Sequence, residues 1–130
     1  MTDAAASLIG LRLLVVEDEA MVAMMLEDML DTLGCVVVDI AGSLEKGLKI
    51  AEDETMSFDV AILDVNLGGD RVFPVAKRLS HRRVPFIFCT GYGRLSEDTG
   101  FAHMPILSKP YTQAELGSML MSTLVEAQRH

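Results

Sequence analysis

The sequence predicts an α/β domain built as a doubly wound parallel sheet with helices on both faces. Three observations predict it. Five short apolar runs, rich in β-branched residues, alternate with segments of helical spacing. The runs are continuously apolar, as expected of strands covered on both faces. Polar residues with chemical potential recur just after the runs, at the strand ends where open sheets of this kind bind ligands.

The first run, residues 11–16, stops at Glu17-Asp18-Glu19. Residues 21–33 then place Met21, Val22, Met25, Leu26, Met29, Leu30 and Leu33 on one stripe, predicting an amphipathic helix that ends at Gly34. Residues 35–41 form the second strand. Ser43 caps a helix to about residue 54, with Leu44, Gly47, Leu48 and Ala51 on its inner face. The third strand, residues 58–63, delivers Asp64 at its end. Gly68-Gly69 predicts a turn before a helix over residues 72–80, where Pro74 is tolerated only in the first turn. The fourth strand, residues 85–89, leads into Thr90-Gly91-Tyr92-Gly93. Residues 94–101 are polar and weakly patterned, so a short or mobile fourth helix is expected there. A fifth strand covers residues 105–107. Thr112 and Glu115 have capping-box spacing at the start of the last helix, whose core stripe is Leu116, Met119, Leu120 and Leu124.

With 130 residues the chain suits one domain, and very roughly two thirds of its unfolded surface can be buried. Residues 1–9 are expected to be a flexible tail and 10–127 the folded domain, with no effector domain. Eleven Lys and Arg against nineteen Asp and Glu give a net charge of −8. Nucleic acid and anionic membrane surfaces are therefore not expected as partners, because both are recognised by clustered cations. No apolar run nears the ~18 residues of a membrane span, and residues 1–10 lack a basic leader segment. Cys35 and Cys89 lie in apolar runs without metal-type spacing, and read as buried, reduced thiols of a cytoplasmic protein.

Glu17 and Asp18 follow the first strand, Asp64 the third, Thr90 the fourth, and Lys109-Pro110 the fifth. Singly, such residues are helix-start charges, turn formers or solvated lysines. Jointly, at one edge of one sheet, they describe a site. Three adjacent carboxylates repel one another and call for a cation. Hard oxygen donors without His or Cys suit Mg²⁺ and argue against zinc. A lysine and a hydroxyl beside them can hold phosphoryl oxygens, which points to phosphoryl transfer onto a carboxylate.

At this point the chain resembles a known family. Residues 14–18 (LVVED), 61–67 (AILDVNL), Thr90-Gly91 and Ser108-Lys109-Pro110 are similar to the motifs of response-regulator receiver domains, and the resemblance spans about residues 10–127. It implies a flavodoxin-like five-stranded sheet of order 2-1-3-4-5. It implies that Asp64 is the phosphoacceptor, charged by a sensor histidine kinase or a histidine phosphotransfer protein. Mg²⁺, or Mn²⁺ in its place, would be held by Asp18 and Asp64, by the Asn66 backbone carbonyl, and by Glu17 through water. Thr90 and Lys109 would bind the phosphoryl group, and Lys109-Pro110 would be a cis peptide. Residues 86–93 (FIFCTGYG) resemble the FATGUY subgroup, with Cys89 where Ala is usual, as does Asn66-Leu67-Gly68-Gly69. Members are often stand-alone receivers that signal to a separate downstream protein. Chemistry is then confined to self-phosphorylation and slow autodephosphorylation; the protein is not otherwise an enzyme.

The chain departs from the common family at Ile106, where an aromatic switch residue is usual. Tyr92, separated from Thr90 only by Gly91, is a candidate to replace it. Asn66 stands where related phosphatases need an Asp, so the acyl phosphate is expected to persist. Lys77, Arg78, His81, Arg82 and Arg83 read as a solvated helix end or a docking patch. The four Met of the first helix offer a plastic kinase-binding face, with Met24 off the core stripe. Met121 and Val125 would suit partner binding or a homodimer. The alternative function is a phosphorylation-independent pseudo-receiver, which the intact Asp18, Asp64, Thr90 and Lys109 set disfavours. A flavin carrier is disfavoured by the acidic first turn, where a phosphate wants glycines and hydroxyls.

Overall fold

The computed structural model describes residues 7–91, 95 and 99–128. Its elements are β1 (Arg12–Val16), α1 (Ala20–Thr32), β2 (Val36–Ala41), α2 (Leu44–Glu52), β3 (Val60–Asp64), β4 (Asn66–Leu67), β5 (Asp70–Arg71), α3 (Phe73–His81), β6 (Phe86–Thr90), β7 (Ile106–Ser108) and α4 (Gln113–Gln128). Five strands form one parallel sheet of order β2-β1-β3-β6-β7. That is the order 2-1-3-4-5 that the family resemblance implies, in the doubly wound arrangement that the sequence pattern predicts. Half of the expected fourth helix, residues 94 and 96–98 of 94–101, falls outside the described residues. Within that stretch Leu95 is buried and the Phe101 ring packs on the sheet.

Strand alternation divides the interior into two cores. Leu14, Val16, Ala61, Leu63, Phe86 and Phe88 face one way, against α2 and α3. Leu13, Val15, Val60, Ile62, Ile87, Cys89 and Leu107 face the other, against α1 and α4. The first core is aromatic. Phe88 lies 5.6 Å from Phe73, 5.3 Å from Phe86 and 5.5 Å from Phe101 between ring centroids, at the steep angles that ring quadrupoles favour. Truncating a fully buried residue such as Leu63 would remove about 2–5 kcal/mol.

The caps read from the sequence form as expected. The Ser43 hydroxyl accepts from the Lys46 N–H at 3.1 Å. Thr112 and Glu115 exchange side-chain-to-backbone hydrogen bonds of 2.8 and 3.1 Å. Pro74 occupies the first turn of α3. At the other end of the sheet Gly10 N–H donates to Gly34 O at 2.8 Å, and Leu8 packs against the second core.

Three expectations need correction. The inner stripe of α1 is narrower than the periodicity predicts. Ala23, Leu26 and Leu30 are buried, while Met21 and Met25 are 76% and 58% exposed. A single helix lying on a sheet buries only the arc beneath its axis, so the flanking methionines face solvent beside Met24. Second, Gly68-Gly69 forms the expected turn, but its flanks, read as irregular, pair as a two-stranded antiparallel ribbon of β4 and β5. Both glycines have positive φ, 60° and 103°, as a two-residue hairpin of matching twist requires. Third, Arg82 is not a solvated cation. Its guanidinium donates to Ala51 O at 3.0 Å and Met56 O at 2.6 Å, and sits 5.1 Å from the Phe58 ring centroid. It closes the C-terminal end of α2, whose last carbonyls lack helical partners.

Candidate functional site

The C-terminal ends of β1, β3, β6 and β7 converge because parallel strands end on the same edge. Glu17 and Asp18 follow β1, Asp64 closes β3, Thr90 closes β6, and Lys109 follows β7. Register enforces the grouping: Asp64 pairs with Cys89, and Thr90 with Ser108. Asp18, Asp64, Asn66, Gly68, Gly69, Thr90, Gly91 and Lys109 line one open pocket of about 510 Å³. Tyr92 lies outside the described residues, so its proposed reporting role has no structural description. Ile106 pairs with Phe88 and packs, half-buried, against the aromatic core. The Lys109–Pro110 peptide is cis.

Glu17, Asp64 and Thr90 are buried, whereas Asp18 is exposed. Lys109 Nζ lies 3.2 Å from Glu17 Oε1 and 3.4 Å from Asp64 Oδ2. Backbone donors complete the cradle: Glu19 N–H to Glu17 Oε2 at 3.1 Å, and Asn66 N–H to Asp64 Oδ1 at 3.3 Å. Burial pushes the Glu17 carboxyl up to about 7. The Glu19 N–H opposes that rise, the hydrogen bond and charge of Asp64 add to it, and the Lys109 ammonium opposes it. Lys109 moves upward too: burial disfavours its charge, but Asp64 and Glu17 together outweigh that.

One oxygen each from Glu17, Asp18 and Asp64 lies within 4.8 Å of the others. The donor set is all hard oxygen, so it fits Mg²⁺ rather than a soft or thiophilic metal. The Lys109 ammonium beside both Glu17 and Asp64 marks a concentration of negative charge that a divalent cation would also neutralise. The sequence reading assigned these carboxylates but missed Tyr111. Its hydroxyl lies against the Cys89 thiol, and burial raises both groups. Its ring also lines an apolar groove of about 390 Å³ with Val22, Met25, Leu26, Met29, Lys109 and Pro110. Only its position two residues after Lys109 could have signalled it.

The chain matches the response regulator receiver domain over residues 13–121. It belongs to the response-regulator receiver family. Solved receivers superpose on it closely. SdrG from Sphingomonas melonis Fr1 is 37% identical, with TM-score 0.75, covering 92% of this chain and 98% of SdrG. The receiver domain of sensor histidine kinase PA1611 from Pseudomonas aeruginosa PAO1, solved with magnesium in its active-site cleft, is 25% identical, with TM-score 0.76, covering 89% of this chain and 98% of that domain. The response regulator PhyR from Brucella abortus shares the fold at 22% identity and TM-score 0.78; the match covers 96% of this receiver and about half, 52%, of PhyR. No curated protein sequence matches the chain. No helix among the described residues is long and apolar enough to cross a membrane.

Proposed function

We propose that this receiver accepts a phosphoryl group on Asp64 from a sensor histidine kinase or histidine phosphotransfer protein, and signals by changing its protein contacts. The observation that carries the reading is the convergence of a buried carboxylate, a buried hydroxyl and an ammonium, Asp64, Thr90 and Lys109, on one strand-end pocket. Asp18 and Asp64 by side chain, Asn66 by carbonyl and Glu17 through water would hold the divalent cation, as the cleft of PA1611 holds magnesium. When bound, the cation supplies charge neutralisation for the carboxylates and the incoming phosphoryl oxygens.

The chain's own residues carry the transfer. An Asp64 oxygen attacks phosphorus; its new P–O bond forms as the donor's P–N bond breaks, and the histidine nitrogen leaves with the electron pair. Lys109, already beside Asp64, pairs with one phosphoryl oxygen, and the Thr90 hydroxyl donates to another. Asn66 offers an amide rather than a carboxylate, so no general base sits two residues from the acyl phosphate to speed its hydrolysis. The methionine-rich groove shares Lys109 with the pocket, which supports docking of the donor's histidine-bearing helix there. Residues 86–93 support placement in the FATGUY subgroup, with Tyr92 as the candidate reporter of phosphorylation.

Intact-mass spectrometry after incubation with acetyl phosphate and Mg²⁺ tests the reading. One phosphoryl adduct is expected, absent in Asp64→Ala. No adduct under saturating Mg²⁺ would favour the pseudo-receiver instead.

A further inference from the structure

The tip of the β4–β5 hairpin borders the acidic pocket with two glycines, Gly68 and Gly69. Its feet are fixed: Val65 and Val72 are buried, the Val72 N–H donates to Val65 O at 3.0 Å, and Leu67 is buried in the aromatic core. The two glycines at its tip stand in different surroundings. A Cβ placed on Gly68 would lie 3.5 Å from Asp18 Oδ2, whereas one on Gly69 would meet nothing within 4 Å. Asp18 also differs from its acidic neighbours. Glu17 and Asp64 share the Lys109 ammonium, while the exposed Asp18 carboxylate has no hydrogen-bond or ion-pair partner among the described residues.

The φ of 60° at position 68 lies in the left-handed region, where Asn and Asp carry the smallest penalty among residues with a side chain. A Cβ there would make ordinary contact with Asp18 Oδ2 at 3.5 Å, so crowding of the carboxylate would come from the atoms beyond it. Mg²⁺ sheds water reluctantly and keeps several waters when bound, so its carboxylate ligands need clear space for a hydrated ion.

We propose that Gly68 is a specificity-determining residue of this pocket, its bare Cα keeping the Asp18 carboxylate open to a hydrated divalent cation. The inference rests on the metal-dependent reading of the site. An Asn at position 68 would set its amide beside Asp18, hydrogen-bond to it and displace the waters of the ion. The same residue at position 69 would project into open space. The hairpin tip is thus a rim whose fit to the cation is set by a missing side chain.

Mg²⁺ alone is the probe, titrated into the full chain and into the Gly68→Asn and Gly100→Asn variants, followed by backbone amide shifts of residues 18 and 64–66. Gly100 also has a positive φ, 83°, with open space at its Cβ, and lies outside the pocket. Gly68→Asn should bind Mg²⁺ about tenfold more weakly, and Gly100→Asn within about twofold of the unchanged chain. Gly68→Lys, whose ammonium competes directly for Asp18, should weaken binding at least as much and serves if Gly68→Asn folds poorly. Unchanged affinity in the Gly68 variants would overturn the proposal. Equal weakening by Gly100→Asn would also overturn it, since the effect would then come from substituting any positive-φ glycine and not from the space beside Asp18. An unsubstituted chain that shows no Mg²⁺-dependent shifts would overturn the metal reading itself, a result distinct from loss of the Gly68 role alone.

Discussion

Lys109 and Glu17 form a hydrogen-bonded ion pair at 3.2 Å, with the Glu17 side chain 3% exposed and that of Lys109 26% exposed. The ammonium reaches Asp64 as well. It is the internal cation of a site whose remaining charges are negative. Stability and metal affinity are therefore coupled through one side chain.

Replacing that cation exposes the coupling. Lys109→Met leaves Glu17 and Asp64 facing each other without a counter-charge. Because Lys109 is partly solvated, the loss is smaller than for a sealed pair, about 1–3 kcal/mol in metal-free protein. Saturating Mg²⁺ should restore much of it, so the metal-induced rise in Tm should be larger in the variant than in the parent. Thermal melts with and without EDTA check this.

The pH profile has a definite sign. Glu17 is raised from its ordinary 4.5 to about 7, chiefly by burial. The folded chain therefore holds a proton that the unfolded chain releases. This contribution favours folding fully below about 4.5 and is lost as pH rises toward 7. The unfolding free energy from urea melts in EDTA should fall across that window, by an amount on the order of 1–3 kcal/mol. Glu17→Gln should flatten that part of the slope, and Mg²⁺, which favours the ionised carboxylate, should oppose it.

The thiols give a third expectation. Burial pushes the Cys89 thiol up to about 12 and also raises Cys35, and neither forms a disulfide. A reagent that needs thiolate should label neither at pH 8 in the native chain, and both in denaturant. Rapid native labelling of Cys89 would contradict its packing beneath the site.

Arg82 offers a fourth. Arg82→Ala strips donors from the carbonyls of Ala51 and Met56 and removes the cation from the Phe58 ring, and should cost about 1–3 kcal/mol. Lys, lacking the planar fork, should not rescue it. The exposed Arg78–Glu52 pair, at 3.2 Å, is the contrast: Arg78→Ala should cost under about 0.5 kcal/mol. Urea unfolding of the three variants separates these outcomes.

The sheet was readable in the sequence because its strands are buried on both faces, which leaves runs such as residues 60–63 wholly apolar. The site was readable because parallel strands carry their following residues to one edge, so Asp18, Asp64, Thr90 and Lys109 could be grouped without coordinates. What escaped depends on contacts between distant segments. Arg82 looked like one more cation at a helix end; its real partners lie 26 to 32 positions earlier. Met21 and Met25 satisfy helical periodicity, but periodicity cannot say how wide an arc the sheet covers. The ribbon around Gly68 was hidden because a two-residue strand is too short to show alternation. Tyr111 escaped because nothing in its own segment points to Cys89.

The sheet order places β1 at the interior and β7 at an edge, and the pocket draws residues from both. Glu17 and Lys109 are 92 positions apart. During synthesis from the N-terminus, both buried carboxylates exist well before the lysine that pairs with them. Loop-closure entropy has to be overcome before that contact can form, so the site is among the late-formed parts of the domain. A cation that recognises the assembled pocket therefore recognises the closed sheet, and its binding free energy adds to the stability of that state alone. The pocket is complete only once the closing strand is in place.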